Sequence, residues 1–269
     1  MSQRTILSAG CVVLVFAGLA LAVPGRPFAQ DVPQSLVQRP RLWTETSQQL
    51  IKESDLYCSF YMYEEGKLLP DIQIIGAERQ NEKHNFEDGD LVYLNKGAAD
   101  GLEMGQLFLS VGLRAKVDKI GTVMERHGRA RIVRLEDRIA TAKIEKGCGM
   151  ILVGDFLLPF EEEAGQVGQD LGYGDMDPNA SKRGQVIYIE NDFHISASGQ
   201  WALIDLGRQH CVQIGDQLNV FHQAAPELPR EAVASAIIID VRGATATIKI
   251  LSARDYVEIG DEIQINAVR

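Results

Sequence analysis

The chain has 269 residues, 45% of them hydrophobic and 24% charged, a balance that excludes intrinsic disorder and leaves length for one large domain or two ordinary ones. Its formal net charge of -10 argues against a nucleic-acid backbone or an anionic membrane surface as partner. No nucleic acid is therefore expected among its partners.

In chain order, the first element is a leader. After Arg4 an uncharged apolar stretch ends in Ala20-Leu21-Ala22, the basic, apolar, small-residue order of a secretory signal. Cleavage after Ala22 or Ala29 makes residues 1–29 a signal peptide and the mature chain periplasmic or secreted. The alternative is an uncleaved anchor, the one membrane attachment expected. Cys11 lies inside the apolar stretch rather than after it, which does not fit a lipoprotein site.

Residues 30–54 read as a linker with a short helix starting near Thr44 or Thr46. Residues 55–78 read as two strands joined at Glu65-Gly66, a hairpin that packs on the unit that follows or completes it. Its aromatic group, Tyr57, Phe60, Tyr61 and Tyr63, is expected to pack in a core rather than form an exposed strip.

An internal repeat organises the rest. LVYLNKGAADGLEMGQLFLSV at 91–111 aligns without a gap on WALIDLGRQHCVQIGDQLNVF at 201–221, placing Gly97 on Gly207 and Gly105 on Gly215. Further on, ATAKI at 140–144 matches ATIKI at 246–250, and Gly154-Asp155 matches Gly260-Asp261. Apolar alternation of period two across each Gly-containing corner is the pattern of half-buried antiparallel strands. On one parity stand Val257, Ile259, Ile263 and Ile265, and likewise Val212, Ile214, Leu218 and Val220. The predicted fold is all-β: two tandem small barrels of about six strands each, closed so that no long edge stays exposed. Residues 55–160 form the first with its N-terminal hairpin, 161–183 an acidic, glycine-rich linker, and 184–269 the second.

The corners hold Gly105, Gly154-Asp155, Gly215-Asp216 and Gly260-Asp261, and Gln106 replaces the acid at one of them. A working acid needs a second titratable group in a pocket. An Asp that accepts a hydrogen bond from a turn amide needs none, so these residues are assigned to backbone turns and not to catalysis. VQIGDQL echoes the opening of a LysM module, but the alternation continues through Leu218 and Val220 where that module would start a helix. Asp175, Asp177 and Asn179 alternate as in a calcium loop, yet Ala180 and Val186 stand where a glycine and an acid are needed. The five histidines form no spaced metal pair, and neither a metal nor a cofactor is expected.

Three cysteines follow the leader, so at most one intramolecular pair forms. Cys58, on the added hairpin, and Cys148, ahead of the closing strand of the first copy, are the favoured pair; the alternative is three separate thiols.

The order Tyr93-x-Asn95-x-Gly97-x-x-x-Gly101-Leu102-x-x-Gly105-Gln106, then Ala140, Ala142 and Ile144, then Gly154-Asp155 resembles the C-terminal domain of the flagellar assembly protein T family. It is also similar to tandem small-barrel proteins of bacterial envelopes that carry this domain. The second copy matches at Gly207, Gly215, Asp216, Ala246, Ile248, Ile250, Gly260 and Asp261. The resemblance implies an exported, non-catalytic interaction module. One departure is that Asp100-Gly101 becomes His210-Cys211: if that turn needs a positive φ, the second copy is expected to turn differently. The expected function is a non-enzymatic envelope scaffold or adaptor that binds an envelope protein. Its alternatives are a module for peptidoglycan or another glycan and, more weakly, a hydrolase with a concealed site.

Overall fold

A computed structural model describes residues 47–266 apart from 65, 79, 118, 119 and 163. The leader at 1–29 and most of the segment at 30–54 lie outside these residues.

The described chain opens with strand β1 (Gln48–Ile51), helix α1 (Glu53–Cys58) and strand β2 (Phe60–Tyr63). The first copy then supplies β3 (Ile72–Ala77), β4 (Leu91–Leu94), β5 (Leu107–Val117), β6 (Gly121–Leu135), β7 (Ala140–Gly147) and β8 (Phe156–Pro159). These pair antiparallel in the order β3-β4-β7-β6-β5-β8, and β8 returns to β3 to close a six-stranded barrel. After β9 (Gln166–Gly168) the second copy repeats the plan. It contains β10 (Arg183–Ile189), β11 (Ile195–Ser196), β12 (Trp201–Ile204), β13 (Gln217–His222), β14 (Glu231–Val241), β15 (Ala246–Ala253), β16 (Val257–Glu258) and β17 (Glu262–Ile265). Its barrel closes as β10-β12-β15-β14-β13-β17, strand for strand the order of the first. Two closed barrels are what the repeat predicts.

Alternation explains each core. Val92 and Leu94 of β4 point inward with Ala140, Ala142 and Ile144 of β7. Ala202 and Ile204 of β12 and Ala246, Ile248 and Ile250 of β15 occupy the matching places in the second barrel. The glycines at 97 and 207 recur because a side chain there would collide with the backbone of Glu136 in one copy and Thr245 in the other.

The N-terminal elements differ from the sequence expectation. Within the described part of 30–54, residues 48–51 form a strand rather than a helix, paired with β9. A register shift between Gln49 and Ile51 lets the adjacent Leu50 and Ile51 both bury against Ile237 and Ile239 of β14. The helix comes later and ends at Cys58, so that cysteine is helical rather than on a strand. The two strands expected at 55–78 both form, but each pairs with the barrel and not with the other. β3 is a stave of the first barrel, whereas β2 lies outside it against the extended start of β6.

β2 is where the barrels meet. Phe60 and Met62 pack with Val123 of the first barrel and with Tyr188 and Leu203 of the second. Phe60 stacks edge-on against Tyr188, with centroids 5.3 Å apart. Thr247 of β15 donates to the Phe60 carbonyl at 2.6 Å. On the other face Tyr61 packs with Leu109, Val111 and Met124. Charge reinforces the seam. Asp55 of α1, buried, accepts Lys249 Nζ of β15 at 2.6 Å, Trp201 Nε1 of β12 at 3.3 Å and its own cap amide, Lys52, at 2.7 Å. Arg126 of β6 reaches across to Asp240 of β14 and donates to Ser59 Oγ at 2.6 Å.

The stretch at 161–183 connects the barrels but is strapped to the second. Asp170 Oδ2 accepts both Ser235 Oγ and Ser252 Oγ at 2.9 Å, Gln217 Nε2 donates to the Gln169 carbonyl, and Asp177 N–H donates to Gln264 Oε1.

Asp55→Ala leaves the Lys249 ammonium buried without its carboxylate. The variant should unfold in urea with about 3 kcal/mol less stability than the parent. A loss within about 0.5 kcal/mol, the range of an ordinary surface substitution, would show that the buried pair does not hold the seam.

Candidate functional site

The four corners share one geometry. In Glu103–Gln106, Leu152–Asp155, Gln213–Asp216 and Glu258–Asp261 the fourth amide donates to the first carbonyl at 3.1–3.3 Å. The glycine in third place has φ between 79° and 99°, as a type II turn requires. The fourth side chain folds back onto the first amide: Gln106 on Glu103, Asp155 on Leu152, Asp216 on Gln213 and Asp261 on Glu258, at 2.7–3.2 Å.

The turn also corrects one expectation. Val257 and Val212 are buried, but Ile259 and Ile214 do not share their face. The residue before each glycine stands at the second place of the turn and points to solvent. Met104 is 60% exposed, Val153 42%, Ile214 59% and Ile259 44%. A positive φ at the glycine redirects the chain, so strand parity does not carry through the corner.

Two corner carboxylates are buried and each has gathered a cation. Asp155 takes Arg114 Nη2 at 2.8 Å and His127 Nδ1 at 3.0 Å; Asp261 takes His222 Nδ1 at 2.7 Å. Burial lowers the His127 pKa, yet the hydrogen bond to Asp155 and the Glu125 carboxylate 3.5 Å from Nε2 outweigh burial and hold it above the ordinary value. The hydrogen bond to Asp261 does the same for His222. Burial pushes Asp261 up in turn, with the Glu258 amide and His222 pulling it back. Arg114, His127 and His222 carry no motif in the sequence. The one hint is Gly112, which aligns with His222 by extending the repeat one residue: a side chain at Gly112 would meet the Arg114 guanidinium and Asp155 Oδ1.

Cys58 and Cys148 are joined as a disulfide, with Cα atoms 5.5 Å apart. It ties α1 to the end of β7, beside His127, whose carbonyl accepts the Cys148 amide at 2.9 Å. A disulfide is consistent with an oxidising compartment. Among the described residues no helix is long and apolar enough to cross a membrane.

Cys211 is free and exposed, and here the structure overturns the expectation of a different turn. Gly101 ends the turn Ala98–Asp100 at φ 88°, and Cys211 ends the turn Arg208–His210 at φ 56°, both left-handed. The cysteine accepts a backbone strain of about 1 kcal/mol because the surrounding barrel dictates the turn. The cap is conserved in function only: Gly97 N–H donates to Asp100 Oδ2 and Gly207 N–H to His210 Nδ1, each at 3.0 Å.

Beside this turn a cleft of about 600 Å³ opens between the end of β2 and the second barrel. Met62 and Ile187 line it together with Asp205, Gln209, His210 and Thr245. Two more charges at its wall are already engaged. Glu64 accepts the Gly243 amide at 2.6 Å, and Arg242 pairs with Asp240 while lying 3.7 Å from the Tyr61 ring centroid.

The structure does not bring the corner acids Asp155, Asp216 and Asp261 into this cleft. Residues 217–222, after the LysM-like VQIGD, are strand β13 and not a helix. In the calcium-like stretch, Asp177 Oδ1 accepts its own Asn179 amide at 2.8 Å. No protein-family model matches the chain, and no curated protein matches it.

The two histidines set a pH dependence. Because their native pKa values stand above the ordinary 6.5, the stability they contribute is complete below about pH 6.5 and is lost as pH rises through the raised values. Chemical denaturation from pH 6 to pH 8.5 should show falling stability, and His222→Gln should reduce that slope. An unchanged slope in the variant would show that the His222 pair is not linked to folding.

Proposed function

We propose that this chain is an exported, non-enzymatic scaffold or adaptor of the bacterial cell envelope, released by cleavage of its leader into the periplasm or outside, where its barrels bind another envelope protein. The observation that carries this reading is the division of labour at the corners. Each acid or amide is turned inward onto a backbone amide, and each preceding apolar side chain is turned outward. Groups held in that way are spent on backbone geometry. An exposed apolar knob on a rigid turn is instead the kind of anchor that partner binding uses, because its conformational entropy is already low. The resemblance to the flagellar assembly protein T domain and to tandem envelope barrels points the same way, to an interaction module.

The test is site-specific photo-crosslinking in cells that export the chain. A photoreactive residue replaces Met104, Val153, Ile214 or Ile259 in turn, with the exposed loop residue Glu227 as control. One corner at least should give a discrete adduct with an envelope protein that the control does not give. Absence of a protein adduct from all four corners would overturn the reading.

A further inference from the structure

The cleft beside Cys211 takes no part in that reading, and its chemistry is of another kind. We propose that it is a binding site for a neutral glycan segment, held between the end of β2 and the 207–211 turn of the second barrel. Its volume of about 600 Å³ is that of a small-molecule site.

The hydrogen-bonding groups fit sugar hydroxyls. Gly207 N–H donates to His210 Nδ1, so the ring proton of the neutral imidazole sits on Nε2. That donor is fixed in direction and has no partner among the described residues. Asp205 spends Oδ1 on the Gln185 amide at 2.6 Å and keeps Oδ2 as an acceptor. Gln209 adds an amide and Thr245 a hydroxyl. A fixed N–H beside carboxylate, amide and hydroxyl groups matches adjacent hydroxyls on one ring, while Met62 and Ile187 supply an apolar wall for its C–H face. The other charges at the wall are neutralised within the protein, and the Asp205 carboxylate repels an anionic ligand.

Comparison of the copies singles out the same place. The two turns make the same backbone bonds, Asp100 to Gly97 and Gly101 to Ala98 in one, His210 to Gly207 and Cys211 to Arg208 in the other. The first has a carboxylate cap and a glycine end, the unstrained solution. The second, whose Gln209 and His210 line the cleft, has a donor-bearing imidazole where the first has a carboxylate.

The experiment is isothermal titration of the oxidised mature chain with tetra-N-acetylchitotetraose and with maltotetraose. At least one should bind saturably, and His210→Asp should weaken it by about tenfold or more. That variant keeps the capping acceptor found at Asp100 but removes the Nε2 donor, so its thermal midpoint should stay near the parent's. Should the midpoint fall, Gln209→Ala, exposed and without a side-chain partner in the turn, carries the same expectation of about tenfold loss. Cys211→Gly should bind as the parent does. No saturable binding of either sugar, or undiminished binding by His210→Asp and Gln209→Ala, would overturn the proposal and leave the adaptor reading untouched.

Discussion

A strand that serves two barrels at once is the constraint on which this molecule rests. β2 hydrogen-bonds to β6 of the first barrel, while its Phe60 and Met62 and the Asp55 of α1 reach the second. Closed barrels have no free edge with which to join one another. Joining them takes an added element, and residues 48–63 provide it. Its apolar part is Phe60 and Met62 against Tyr188 and Leu203; its polar part is Asp55 with Lys249 and Trp201. A carboxylate so buried is tolerated because every oxygen has a donor. The disulfide then fastens the end of α1 to the first barrel, so the joining element is tied by covalent bond on one side and by burial on the other.

The copies show what the repeat must keep and what it can change. Every corner keeps glycine, because a type II turn needs a positive φ in third place. The side chain that closes the turn can be Asp or Gln. Where that side chain is buried a cation comes to it, by different routes. The first barrel leaves position 112 empty so that Arg114 can fold over to Asp155, with His127 arriving from β6; the second fills the matching position with His222. One electrostatic need has been met by two unrelated sets of residues.

That contrast explains what was legible in the sequence. The barrels were, because two matching runs of alternating residues with glycines at fixed spacing specify strands and turns locally. The disulfide was too, since the extra N-terminal segment and the stretch before β8 carry cysteines where the second copy has none. The helix was misplaced because β1 is held by β9 and by Ile237 and Ile239, contacts that no local pattern announces. Ile214 and Ile259 read as inward because parity was carried through a turn that breaks it. Cys211 read as incompatible with a left-handed turn, yet tertiary context imposed that turn on it. The cleft was invisible, since Met62, Ile187 and His210 come together only when β2 bridges the barrels.

For the adaptor role proposed above, rigidity is the useful property: apolar knobs at the corners keep fixed spacings, and a partner that met several of them would lose little entropy in doing so. The bridge formed by residues 48–63 is what makes those spacings fixed across both barrels. Residual dipolar couplings of backbone amides in the oxidised chain measure this directly. One alignment tensor should fit β3–β8 and β10–β17 together, whereas two tensors of different magnitude or orientation would contradict a shared strand holding the barrels as one body.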